Sequence, residues 1–177
     1  DYIASFGKPI VISTGMNDIN SIKKAVKILK KRKVQHAILH TTNLYPTMHD
    51  QVRLNALLEL KKKFPNTVLG LSDHTGDNYS SYASIALGAS IIEKHFIDNN
   101  SRKGPDISAS VNTKQMIDLI KGVNLIHKAI PGGIKPIPRE KKTANFAFAS
   151  VVANQDLKKG TILDQNNIWV RRPGNGD

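Results

Sequence analysis

The sequence predicts a parallel α/β fold, half of a (β/α)8 barrel, with a small β-rich module after it. Three observations carry this. Short runs rich in Ile, Val and Leu alternate with longer amphipathic runs from Pro9 to Ala129. Polar residues gather where each short run ends, and the composition changes between Ile130 and Lys142.

The short apolar runs are Ile10–Ile12, Ala37–Leu39, Val68–Leu71 and Ser90–Ile92. They do not alternate strictly between apolar and polar, as expected of strands covered on both faces. Helical periodicity falls at Ile19–Lys31, Gln51–Phe64, Tyr79–Leu87 and Thr113–Ala129. Gly7-Lys8-Pro9 and Phe64-Pro65-Asn66 supply the breaks that precede strands. Four consecutive strand–helix units imply parallel strands joined by right-handed crossovers. A complete eight-unit barrel needs about twice this span, so residues 1–130 fit a free-standing open sheet or half of a barrel domain, and the polar residues at all four strand ends favour the barrel. Residues 131–145, with Pro131, Gly132, Gly133, Pro136 and Pro138, are expected to form a non-helical linker. Phe146–Ala153 and Trp169–Arg171 look strand-like, and residues 146–177 are expected to begin a second domain that stops partway.

The chain has 177 residues, 40% of them hydrophobic and 23% charged, near ordinary globular proportions. No apolar run approaches membrane-spanning length and no secretory leader pattern is visible, so no membrane partner is expected. With no cysteine, disulfides, thiolate metal sites and thiol catalysis are excluded. That absence agrees with a cytoplasmic location. The formal charge of +12 admits a nucleic-acid surface or a solvated basic shell. Lys23, Lys24, Lys27, Lys30 and Lys31 lie opposite Ile22, Val26 and Leu29, and aromatic residues do not interleave with the positive charges. The solvated face fits better, and no nucleic-acid partner is expected.

His74 and His95 each close a strand, one repeat apart, so both imidazoles face the same rim of a parallel sheet. Neutral imidazoles on one rim can share a divalent cation; a histidine at a strand end can equally be held by hydrogen bonds alone. His40 stands before its strand end, and His36, His49 and His127 look like surface or loop residues. Ser13-Thr14-Gly15 closes the first strand, where hydroxyl and backbone donors can bind phosphate or simply turn the chain. Ser72 lies two residues before His74. Asn43 and Tyr45 offer hydrogen bonds to a sugar or make a turn before Pro46. Glu93 shares a face with His95, from which it can orient that ring, handle a proton, or pair with a buried lysine. The polar loop Asp98–Ser110 has the length of a lid.

Together, Gly70-Leu71-Ser72-Asp73-His74-Thr75, Ile92-Glu93-Lys94-His95-Phe96, Gly104-Pro105-Asp106 and Arg172-Pro173-Gly174-Asn175-Gly176 resemble the bacterial sialic acid synthase family. Ser13-Thr14-Gly15-Met16 and Thr42-Asn43-Leu44-Tyr45-Pro46 extend the likeness upstream. The resemblance implies strands five to eight of a (β/α)8 TIM barrel, followed by part of an antifreeze-like (SAF) domain. It implies condensation of phosphoenolpyruvate with N-acetylmannosamine and water to give N-acetylneuraminate and phosphate. A synthase of a related nonulosonic acid, such as legionaminic acid, is the close alternative. A metal-dependent aldolase lies further off.

By the same resemblance His74 and His95 would ligate Mn²⁺ or Mg²⁺, with Glu93 beside them as a catalytic group. Ser13 and Ser72 would contact phosphoenolpyruvate, and Asn43, Tyr45 and Asp106 the sugar. Arg172 would reach the sugar of a partner in a domain-swapped homodimer, with Thr143 and Phe146 near it. The resemblance places further phosphate-binding lysines and a glutamate in an N-terminal half, so this stretch alone is expected to be inactive.

Overall fold

The computed structural model describes residues 1–99 and 101–174. It divides into two compact units, Asp1–Pro131 and Gly132–Asp177. In the first, β1 (Ile10–Ser13), β2 (His36–Thr41), β3 (Val68–Asp73) and β4 (Ile91–Lys94) are each followed by a helix. These are α1 (Ile19–Lys31), α2 (Asn55–Lys63), α3 (Tyr79–Ala86) and α4 (Thr113–Ala129). The strands are all parallel and lie in chain order, giving half a barrel wall.

The ends of α1 and α4 fall where the periodicity places them because both have side-chain caps. Asp18 accepts the Ser21 amide at 2.8 Å. Asn112 accepts the Gln115 amide at 3.0 Å, while the Gln115 side chain accepts the Asn112 amide at 2.9 Å. The second helix differs from expectation. Arg53 has a φ of 56°, a left-handed conformation that separates a short 3-10 turn at His49–Gln51 from α2. Hydrophobic periodicity does not register such a break, since Leu54, Leu57 and Leu58 all lie after it and keep their spacing.

The core lies between the sheet and its helices. Ile38 and Leu69 pack with Ile22, Val26, Leu60 and Phe64, with Ile12 against them. A second cluster joins Leu57, Ile85 and Ala89 to Ile92, Val123 and Ile126. These strand residues share one face; Val11, Ser13, Leu39, Gly70, Ser72 and Glu93 share the other, as the strand register requires. Gly70 is needed because a Cβ there would collide with the Ile91 carbonyl and Leu39.

In the second unit, β5 (Ser150–Ala153) pairs antiparallel with β6 (Ile168–Arg171). Two expectations are corrected. The stretch 131–145 contains helical structure: Pro138–Glu140 forms a 3-10 turn leading into α5 (Lys141–Ala147). Pro138 sits in the first turn, where no amide is required, and the Glu140 carboxylate accepts the Ile137 amide at 2.7 Å. Phe146 consequently lies on α5 and not on a strand. His36 is likewise no loop residue, since it opens β2. Among the described residues, no helix is long and apolar enough to cross a membrane.

Ile38 is fully buried at the centre of the first cluster. Ile38→Ala should therefore lower unfolding free energy by about 2–5 kcal/mol in urea titration. Exposed Lys23→Ala should change it by less than about 0.5 kcal/mol.

Candidate active site at the carboxyl edge of the sheet

The pairing of β3 with β4 sets the site. Ser72 is registered with Glu93 and Asp73 with Lys94. Side chains alternate between faces, so Ser72 and His74 look one way with Glu93 and His95, while Asp73 and Lys94 look the other. The His74 and His95 ring centroids are 5.2 Å apart, with the rings inclined at 64°. Tyr45 stacks on His74 at 4.2 Å and meets His95 edge-on at 5.5 Å. Three aromatic rings from consecutive strand ends thus meet at one place on the rim.

His74 is oriented by the backbone of the neighbouring strand end: its Nδ1 lies 2.9 Å from the Thr42 carbonyl. An Nδ1–H donated there leaves the Nε2 lone pair free on the side where Ser72 Oγ stands 3.4 Å away. Burial lowers the His74 pKa below the usual histidine value, the Thr42 hydrogen bond opposes this, and the nearby His95 adds to it. The ring is therefore neutral at pH 7.

Ser72 is buried and donates its hydroxyl to Glu93 Oε1 at 2.6 Å. Of the roles open to Glu93, pairing with a buried lysine is not what forms. The lysine beside it, Lys94, turns away to Asp73 at 3.0 Å, with side-chain exposures of 2% and 0%. Burial pulls the Lys94 pKa down and Asp73 works against that. Ser72, Glu93, Lys94 and His95 line a cavity of about 140 Å³.

The other predicted residues fall at varying distances from this centre. Asn43 lies against the β1–α1 turn, where a Cβ on Gly15 would collide with its amide, so Gly15 is there for close approach. Ser13 ends β1 on the same face as Ser72 but two strands away, and is exposed. Asp106 is exposed and lines an open cavity of about 530 Å³ together with His95, Arg102 and Lys103. Thr143 and Phe146 are exposed on α5, and Arg172 is exposed just after β6. Asn175 and Gly176 of the Arg-Pro-Gly motif lie outside the described residues.

Three residues in the site's framework escaped the sequence reading: Thr42, whose carbonyl fixes His74, and the buried pair Asp73 and Lys94. The pair had a signal. Each rim histidine directly follows a charged residue, of opposite sign on the two strands, and alternation sends both charges into the layer behind the site.

The NeuB family matches residues 1–135, and the SAF domain matches residues 148–177. The chain belongs to the NeuB family. Relatives agree along nearly the whole of it. An uncharacterized protein of Methanocaldococcus jannaschii is 39% identical over 176 residues, covering 98% of this chain and 52% of the relative. The N,N'-diacetyllegionaminic acid synthase of Campylobacter jejuni is 38% identical over 178 residues, covering 98% and 53%. Among solved structures, the N-acetylneuraminic acid (sialic acid) synthetase of Leptospira borgpetersenii, in complex with citrate, superposes with a TM-score of 0.74 at 30% identity. That superposition covers 80% of this chain and 50% of the synthetase. The chain spans about half the length of the NeuB-family proteins it matches.

Of the histidines that lie off the rim in this NeuB-family chain, one is buried. His40 lies behind the rim, with Nε2 at 2.6 Å from the Val52 carbonyl. Burial depresses its pKa below 6.5, the hydrogen bond to Val52 opposes this, and Arg53 adds to the depression. Above pH 6.5 folded and unfolded forms are both neutral, and the full stability is present. As the pH falls below 6.5 the unfolded chain takes up a proton that the folded chain refuses, and stability drops by up to about 1.4 kcal/mol per pH unit. Urea titrations at pH 7.5 and 5.5 should show this loss. His40→Gln, which keeps a donor for Val52, should reduce it.

Proposed function

We propose that the intact protein condenses phosphoenolpyruvate with an N-acylated amino sugar, releasing phosphate and forming a nonulosonic acid. The observation that carries this is the pair of imidazoles on adjacent strand ends, 5.2 Å apart in a NeuB-family chain. In this reading the four strands are strands five to eight of a full barrel. N-acetylmannosamine is the first sugar to test, and N-acetylneuraminate the corresponding product. The 38% identity to a legionaminic acid synthase supports the diacetylated analogue as the second.

The donor set fits a divalent cation such as Mn²⁺ or Mg²⁺. His74 has its Nδ1 fixed on a carbonyl and its second nitrogen available, the arrangement typical of a ligating histidine, and His95 faces it. Among the described residues no group of three or more His, Asp and Glu is gathered to hold an ion, so water and substrate oxygens would complete the shell. When bound, the cation would supply Lewis acidity to the sugar's aldehyde oxygen as it gains negative charge.

The protein's own groups do the rest. Attack of the enol carbon on the aldehyde forms the new C–C bond; water then adds to the cationic carbon left behind, and phosphate departs with cleavage of its C–O bond. Ser72 Oγ stands 3.4 Å from His74 Nε2, and its contact with Glu93 gives its proton a resting place, so a substrate phosphate would accept from Ser72 only once that bond is exchanged. Glu93, released from Ser72, would then be free to hold a proton or the attacking water. Ser13 would contribute a further phosphate donor. Asn43, Tyr45 and Asp106 would read sugar hydroxyls, and Tyr45 also walls off one face of His74. Arg172, Thr143 and Phe146 would serve a neighbouring protomer of a domain-swapped homodimer, and the cytoplasm, where phosphoenolpyruvate is made, would be the setting.

The intact protein should release phosphate from phosphoenolpyruvate only when the amino sugar is present, and chelator should stop it. His74→Ala or His95→Ala should each lower kcat by about a hundredfold or more. Turnover that survives chelation would remove the cation from the reaction. Phosphate release without sugar would remove the condensation.

A further inference from the structure

The ion pair behind the rim does more than fill the core. Asp73 directly precedes His74, Thr75 directly follows it, and Lys94 directly precedes His95. The Lys94 ammonium makes three contacts: Asp73 Oδ2 at 3.0 Å, the Thr75 carbonyl at 2.6 Å and Thr75 Oγ1 at 3.1 Å. An ammonium has three protons, and all three are used. Both oxygens of the Asp73 carboxylate are partnered as well: Ser81 on α3 donates to Oδ2 at 2.6 Å and the Thr75 amide to Oδ1 at 2.9 Å. One lysine side chain therefore grips the residues on both sides of His74 while its own backbone carries His95.

We propose that the Asp73–Lys94 pair is a positioning device that fixes the separation and tilt of the two rim histidines. This rests on the reading of those histidines as cation ligands. β3 ends at Asp73 and β4 at Lys94, so both histidines lie just past the last positions of their shared ladder; the His74 and His95 carbonyls accept from the Thr47 and Val111 amides at 2.9 Å each, but the β3–β4 ladder no longer ties one histidine to the other. The pair supplies the missing constraint from the opposite face. A buried ion pair is seldom the most stable filling for a core, since apolar side chains of like volume do as well. Its geometric specificity is what apolar replacements cannot reproduce. Asp73 and Lys94 act only through the backbone and touch no reacting atom.

The test uses the intact protein, wild type and a double variant, Asp73→Asn with Lys94→Met, which removes both charges together. Two quantities are measured: the affinity for Mn²⁺ by titration, and the imidazole ¹H–¹³C signals of the metal-free protein. The double variant should melt within a few degrees of wild type, bind Mn²⁺ at least tenfold more weakly, and show displaced or broadened His74 and His95 signals. The His127 signal should stay in place. Unchanged affinity together with unchanged His74 and His95 signals would overturn the proposal. If the wild type itself binds no Mn²⁺, the cation reading falls, and the ring signals alone then decide whether the pair positions the histidines. Should the double variant fail to fold, Thr75→Val removes one acceptor of Lys94 with little change of shape. Displaced His74 and His95 signals in that variant support the clamp, and undisturbed ones refute it.

Discussion

The parallel pairing of β3 with β4 is the constraint on which the site depends. A shift of one residue in that register would send His74 and His95 to opposite faces and pull one member of the Asp73–Lys94 pair out of the core. The register is held by the ladder, by Gly70 allowing β4 to approach, and by the Ser72–Glu93 and Asp73–Lys94 pairs on the two faces. Both pairs join residues of opposite hydrogen-bonding character at the same ladder positions. Slipping the strands would separate two matched pairs at once.

The site is layered in consequence. Facing the rim are the groups suited to chemistry: two imidazoles, a hydroxyl and a carboxylate. Behind them lies a charge pair whose ammonium protons and both carboxylate oxygens have partners, and behind that α3, whose Ser81 joins the network. Tyr45 enters from the next strand end and packs on the imidazoles, so three loops converge at one point. Parallel α/β folds gather such loops at the carboxyl ends of their strands, where hydrogen-bonded backbone can carry them with little freedom.

Much of this was legible in the residues. The four strands and the limits of α1 and α4 follow from apolar runs and period, and the neighbouring histidines follow from equivalent positions in successive repeats. The break at Arg53 was not legible, because a single left-handed residue leaves the apolar stripe intact. Helix α5 was hidden by the prolines before it: Pro138 reads as a breaker, yet it opens the helical stretch. Contacts made by backbone atoms, such as Thr42 with His74, leave no mark on side-chain type. The Asp73–Lys94 pair lies between these cases. Its residues stand inside the motifs, and only the pairing of β3 with β4 brings their opposite charges together.

His74 and His95 are proposed to ligate one cation together. Electron spin-echo spectroscopy of Mn²⁺ bound to the intact protein, with histidine labelled with ¹⁵N, tests it most directly. Two histidine nitrogens should couple to the metal, and a single one should remain after His95→Ala. Bound Mn²⁺ with no nitrogen coupling, or with a coupling that survives loss of both imidazoles, would contradict it.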